Sequence, residues 1–280
     1  MTDRLHLHEL LEFLKEDVPA GDLTSDAVIP DVSCTAIIRA EHDGIIAGMA
    51  EAAALFSHFG VAVTSEKKDG VPAMAGDVIL RLSGKAKAIL LVERTALNIM
   101  GRMSGIATAT HAQAGVVRSV SPACRVAGTR KTCPGFRRFD KKAVLIGGGD
   151  PHRMNLSDGI LIKDNHLAVV PLEKAIRTAR QTSAYKKIEV EVESSADAIR
   201  AAETGADIIM LDNMTPGQAK ETVSALEKLG LRDKVILEIS GGINETTVRD
   251  YAACGVDIIS MGALTHTVKN FSFSLEILPA

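Results

Sequence analysis

The chain has 280 residues, 46% of them hydrophobic, with no tryptophan and only 3% aromatic residues. A core of that size must be aliphatic, which suits βα units with parallel strands and argues against an aromatic-rich β-sandwich. The formal net charge of −3 speaks against a dedicated nucleic-acid binder. The charged opening MTDRLHLHELLEFLKED is not the apolar core of a signal peptide.

No apolar run is long enough to span a bilayer. Cys34, Cys124, Cys133 and Cys254 form no C-x-x-C pair. Neither a zinc site nor a disulfide framework is expected, and reduced thiols in a cytoplasm are the expectation.

In chain order, Leu7, Leu10, Leu11 and Leu14 recur at i, i+3, i+4 and i+7 and predict an amphipathic first helix. Gly21 to Ser25 reads as a loop. Short strands are expected at 33–40, 44–47, 61–66 and 77–82, interrupted by a helix at 49–59. Strands and helices mixed without regular βα alternation predict a small α+β domain. From Lys85 to Val120 the pattern is helical, with breaks expected near Gly101 and Gly105. One face carries Ile89, Val92, Ala96, Ile99 and Met103. The opposite face carries Leu90, Leu97 and Gly101 around a single cation, Arg94. A helix apolar on two sides is buried or sits in an interface, so Arg94 needs an anion. A structural ion pair and a ligand are equally open.

From residue 188 the rhythm is regular. Strands are expected at 188–192, 208–212, 235–239 and 258–261. Helices between them are capped by Ser194/Ser195 and Gly205, by Thr215-Pro216 and Gly230, and by Asn244 and Gly255. Earlier strands are expected at 124–126 and 159–162. This α/β pattern predicts an incomplete parallel barrel, with an open doubly wound sheet as the alternative. Function collects at the C-terminal strand ends in both. There stand Glu191, Asp212, Glu238 with the Ser240-Gly241-Gly242 turn after it, and Met261-Gly262-Ala263. Glycine lets a backbone approach phosphate oxygens closely, although a tight turn without a ligand reads the same way.

Residues 128–166 run GTRKTCPGFRRFDKKAVLIGGGDPHRMNLSDGILIKDNH. Seven Lys or Arg and one acid, Asp140, lie between Arg125 and Lys142, a local basic cluster in a slightly acidic protein. It reads as a pocket for a small, strongly anionic ligand. Arg130, Lys131, His152, Arg153 and Lys163 are the candidate ligands; Arg137, Arg138, Lys141 and Lys142 read as a solvated face. His58 and His111 have no partner pattern and read as packed. Acids facing a polyanion require a bridging divalent cation or a developing positive charge, and magnesium with a pyrophosphate-bearing sugar meets both demands.

Thr129-Arg130-Lys131-Thr132 with Pro134-Gly135, Gly147-Gly148-Gly149, His152-Arg153 and Ile162-Lys163-Asp164-Asn165-His166 closely resemble the quinolinate phosphoribosyltransferases. So do Glu93-Arg94-Thr95, Ser104 to Thr108, Leu211-Asp212-Asn213, Ser240-Gly241-Gly242 and Gly262 to His266. The resemblance covers essentially the whole chain, in order. It implies an N-terminal α+β sandwich at 1–105, to which the tail 267–280 returns, and an incomplete TIM-like barrel at 106–266. It implies transfer of phosphoribosyl from phosphoribosyl pyrophosphate to quinolinate with decarboxylation, for NAD biosynthesis. It further implies Mg2+ at Glu191 and Asp212, and a cytoplasmic homodimer that gives Arg94 to its neighbour's site. Arg130, His152, Arg153 and Lys163, with Thr129, would bind quinolinate, and Lys131 would stand at the junction with the donor. Ser240, Gly241, Gly242, Met261, Gly262 and Ala263 would cradle phosphate. Lys131, Glu191 and Asp212 would be catalytic.

Two positions depart from the family's usual pattern: Gly128 stands where an acid is common, and Pro151 where Asn is common. A relative linked to molybdenum transport shares the Arg-Lys-Thr-x-Pro-Gly run but lacks Lys-Asp-Asn-His. A phosphosugar isomerase or aldolase with Lys163 as a Schiff-base amine, and a non-catalytic anion or nucleic-acid binder, are the remaining alternatives.

Overall fold

In the computed structural model, which describes residues 4–279, the helix Ala86–Val120 runs unbroken for 35 residues. The breaks expected at Gly101 and Gly105 are not there. A Cβ at Gly101 would lie 2.8 Å from the Phe271 carbonyl oxygen, and one at Gly105 would lie 2.3 Å from that of Lys269. Each glycine costs the helix about 1 kcal/mol relative to alanine. What it permits is the close approach of the 269–271 backbone, whose Phe271 N–H donates to the Gly101 carbonyl at 2.9 Å.

The chain divides into two compact units, Met1–Ala109 with Val268–Ala280, and Thr110–Thr267. In the first, Leu10 and Leu14 of helix Arg4–Asp17 are buried, with Leu7 and Leu11 half-buried. Gly21 to Ser25 is not all loop: Leu23–Val28 is a short helix, because the Asp22 carboxylate accepts from the N–H groups of Thr24 and Ser25 at 3.1 Å. That N-cap satisfies donors a first turn otherwise leaves open. A four-stranded antiparallel sheet orders its strands Phe273–Ile277, Ser33–Ala40, Val78–Lys85 and Ala62–Ser65. His58 and His111 are exposed rather than packed; no apolar neighbour pattern requires them inside.

The second unit carries six parallel strands in the order Arg125–Ala127, Ile258–Ser260, Ile236–Ser240, Ile208–Asp212, Ile188–Val192 and Ile160–Ile162. From Ile160–Ile162 onward each strand neighbours the next in sequence, the last pairs with Arg125–Ala127, and the seam between Arg125–Ala127 and Ile160–Ile162 stays unpaired. That cyclic order is an incomplete barrel; a doubly wound sheet would reverse direction partway. The capping signals explain the helices between. Ser194 caps Ser195–Thr204, which Gly205 ends in the left-handed conformation, and Thr215 with Gln218 forms a capping box on Pro216–Lys228. Ile188, Val190, Ile209, Leu211, Leu237 and Ile239 alternate into the aliphatic layer beneath these helices. Their odd-numbered or even-numbered neighbours face the barrel interior.

Helix Arg137–Ile146 corrects the reading of the basic run. Lys141 is not on a solvated face. It is 1% exposed, its ammonium donates to the Pro151 carbonyl, and burial lowers its pKa to about 8. Phe139, Asp140, Lys141, Ala143 and Val144 form the buried face of this helix. No helix among the described residues is long and apolar enough to cross a membrane.

Candidate active site

A cavity of about 390 Å³ opens at the C-terminal strand ends, lined by Thr129, Arg130, Lys131, His152, Arg153, Lys163, Glu191, Asp212 and Ser240. Leu161, Met210, Glu238 and Ser260 complete the lining. The strand period of two explains the set. Glu191 stands above Glu189, and Ser240 above Glu238, on the inward face of each strand. Register aligns Ser240 with Asp212 and Glu238 with Met210.

The cationic side is built from loops. Lys131 is held at both ends of its peptide: its N–H donates to Thr129 Oγ1 at 3.1 Å, and Thr265 Oγ1 donates to its carbonyl at 2.9 Å. Arg137, expected on the surface, is half-buried and donates to Thr132 Oγ1 at 3.0 Å, tying the same loop to its helix. Arg130 Nε is buried without a hydrogen-bond partner, a donor that a ligand would satisfy. Burial and then the facing Arg130 push the Arg153 guanidinium below its ordinary value. Two crowded cations with an unmet donor describe an anion site.

The acids form two tiers. In the upper tier Lys163 pairs with Glu191. Burial and then the charge of Glu191 push the Asp212 carboxyl above its ordinary value. Asn213, in the left-handed conformation at φ 54°, donates to Asp212 Oδ2 at 2.6 Å. These two carboxylates repel, and a hard divalent cation held by one or two carboxylates plus substrate oxygens relieves that repulsion. The donor set fits magnesium.

In the lower tier His152 Nε2 lies 3.4 Å from Glu238 Oε1 and 3.7 Å from Glu189 Oε2. Burial opposes charging of this imidazole, while the two carboxylates favour a proton on the Nε2 that faces them. Among the described residues, His152, Glu189 and Glu238 are the one group of three with metal-ligand spacing; Glu191 and Asp212 are not in it. Glu189 was missed in the sequence, Lys141 was placed on the wrong face, and Glu238 was seen only as a strand-end acid. The missed signal was the period of two, which places Glu189 and Glu238 one step below residues already singled out.

The glycine turns flank the cavity rather than line it. A Cβ at Gly262 would lie 3.2 Å from Lys131 Cδ, and one at Gly241 would lie 2.6 Å from Asn213 N. Gly242 faces open space, Met261 is buried, and Ala263 begins the short helix Ala263–His266. Lys163 N-caps another, Asp164–Leu167, so part of the Lys-Asp-Asn-His run is capping structure. In the first unit, Arg94 is exposed beside buried Leu97 and Gly101. Of the two departures, Gly128 is buried, with Val144 Cγ2 3.4 Å from where a Cβ would stand. Pro151 supplies the carbonyl that Lys141 holds.

The quinolinate phosphoribosyl transferase N-terminal domain model matches residues 22–104, and the C-terminal domain model matches residues 106–276. The chain is 50% identical over 262 residues to the probable nicotinate-nucleotide pyrophosphorylase (carboxylating) of Archaeoglobus fulgidus, covering 93% of this chain and 100% of that one. It is 36% identical to the nicotinate-nucleotide pyrophosphorylase (carboxylating) of Homo sapiens over 268 residues, 95% of this chain and 89% of that one. The solved structure of the nicotinate-nucleotide pyrophosphorylase from Francisella tularensis superposes with a TM-score of 0.90 at 34% identity, covering 96% of this chain and 94% of that one.

Proposed function

We propose that this chain, which belongs to the quinolinate phosphoribosyl transferase family, transfers phosphoribosyl from phosphoribosyl pyrophosphate to quinolinate. The products are nicotinate mononucleotide, pyrophosphate and carbon dioxide, in the biosynthesis of NAD. The observation that carries the reading is the pairing, in one cavity, of crowded cations with a strand-end acid pair.

The two carboxylates of quinolinate meet Arg130, Arg153, Lys163 and His152, and Arg forks suit carboxylates better than point charges do. The pyridine nitrogen forms a bond to the anomeric carbon as the bond to pyrophosphate breaks. Glu191 and Asp212 stabilise the positive charge that develops on the ribose. Lys131, beside Gly262, faces the departing pyrophosphate, and the 240–242 and 261–263 turns offer backbone N–H groups to phosphate. The positive charge on the ring stabilises the electron pair left on C2 when carbon dioxide departs, and that pair then takes a proton. Positioning and electrostatics supply the acceleration without a dedicated general base. Glu191 and Asp212 would hold magnesium, which would supply charge neutralisation of the pyrophosphate.

A Schiff-base isomerase or aldolase needs a lysine free of an ion-pair partner, and Lys163 has Glu191. Incubation with quinolinate, phosphoribosyl pyrophosphate and magnesium should release carbon dioxide and nucleotide in equal amounts, and a chelator should stop it. Nicotinate in place of quinolinate is the control; turnover of nicotinate alone would overturn the assignment.

We place the reaction in the cytoplasm. The functional unit is a homodimer in which exposed Arg94 reaches the partner's pocket. Arg94→Ala and Asp212→Asn proteins should each be nearly inactive. Co-assembled at random, they should recover about a quarter of wild-type activity, because half the dimers are mixed and each holds one intact site. No recovery in verified mixed dimers would place Arg94 outside the shared site.

A further inference from the structure

Barrel interiors are ordinarily filled by branched aliphatic side chains. Here the layer beneath the pocket holds two carboxylates instead, Glu238 at 1% and Glu189 at 5% exposure. Burying two acids side by side is expensive and contributes nothing to packing that Leu or Met would not. Ser260 Oγ donates to Glu238 Oε1, fixing one of them.

Both acids face one group, the His152 imidazole, whose every degree of freedom is taken up. Nε2 faces the two carboxylates at 3.4 and 3.7 Å, while Nδ1 accepts the Arg153 N–H at 2.7 Å. An acceptor at Nδ1 puts the ring proton on Nε2, toward the glutamates. Its backbone sits at φ 56°, a conformation that costs a side-chain-bearing residue about 1 kcal/mol or more. Two contacts hold it there: His152 N–H donates to Asp150 Oδ1 at 2.8 Å, and buried Lys141 grips the carbonyl of Pro151.

We propose that Glu189 and Glu238 are positioning residues that fix the orientation and tautomer of His152 for the ring-dicarboxylate substrate. The proposal rests on the reading of this cavity as the quinolinate site. It differs from a bare charge effect in sign. Replacing a buried acid by its amide removes negative charge near an anion pocket, so electrostatics alone predicts tighter substrate binding. Loss of positioning predicts weaker binding.

The test uses the full-length enzyme with Glu189→Gln, Glu238→Gln and Ser260→Ala. KM for quinolinate should rise about tenfold or more in both Gln variants, by analogy with removal of the carboxylate that orients a metal-ligating histidine. KM for phosphoribosyl pyrophosphate should stay within about twofold, since these acids do not reach the strand-end tier. Ser260→Ala, which leaves both acids in place, should show the same change in smaller degree. The second readout needs no turnover. In histidine-labelled protein, with His152 assigned by its loss in His152→Gln, the ring signals should report the Nε2–H tautomer in wild type. They should shift or broaden in the variants. If quinolinate is not turned over, the functional reading fails while the tautomer measurement still decides this proposal. A quinolinate KM that falls or stays constant, with His152 signals unchanged, overturns it. So does a stoichiometric transition metal on His152, Glu189 and Glu238 in the purified protein.

Discussion

Arg153→Ala is expected to lower kcat/KM for quinolinate by about two to three orders of magnitude. The midpoint of thermal unfolding should move by no more than about 3 °C. The asymmetry follows from how the residue is held. Its guanidinium is pushed below its ordinary value by burial and by Arg130, and its contact to the Gly159 carbonyl is long at 3.4 Å. Without substrate it is a crowded cation whose loss relieves repulsion. With substrate it forms a charge-assisted fork worth roughly 3–4 kcal/mol across two bonds to a carboxylate. Kinetics on purified variant beside a melting curve checks both halves. Near-normal turnover would remove Arg153 from the pocket's working set.

Gly241→Ala carries the largest expected loss of stability, about 3–5 kcal/mol, from strain and overlap together. Gly241 has φ 100°, and an added Cβ would stand 2.3 Å from Asn213 Oδ1, 2.6 Å from its N and 2.8 Å from its Cα. The side-chain oxygen can move away; the backbone atoms cannot without shifting the strand end. Asn213 N–H donates to the Ser240 carbonyl at 3.0 Å, and its amide donates to Asp212. The shift therefore reaches the carboxylate proposed to face the ribose, and kcat should fall with stability. Gly242→Ala is the matched control. It also has positive φ, at 63°, but meets nothing within 4 Å, so it should cost about 1–2 kcal/mol. Equal melting points for the two variants would refute the overlap.

Local chemistry made part of this molecule legible from residue types alone. Ser33–Ala40, Ile188–Val192 and Ile208–Asp212 follow from β-branched runs between turn signals, and the barrel from repeated caps at Ser194, Thr215 and Gly205. What escaped was decided by partners far away in sequence. Gly101 and Gly105 read as helix breakers because nothing near them announces the 269–271 backbone. Lys141 reads as surface because it lies among Arg137, Arg138 and Lys142, and only the Pro151 carbonyl makes an interior position tolerable. The cavity draws on motifs that are individually weak and separated by dozens of residues; a single parallel barrel brings their strand ends to one rim. Its lower tier stayed hidden because a glutamate within a strand reads as solvent-facing until the barrel's inward face is known.

The pairing of Ser33–Ala40 with Phe273–Ile277, in which Ala36 lies opposite Ile277, bears on the order in which the protein is made. Chains usually mature from the end synthesised first. Here Thr110–Thr267 is continuous and has all of its strands in hand earlier, whereas the unit begun first waits for residues 273–277 to be made. Until residues 273–277 leave the ribosome, Ser33–Ala40 is an open sheet edge, a template for unwanted association. A stop in translation before residue 273 would thus injure a sheet whose strand at 33–40 was made more than two hundred residues earlier.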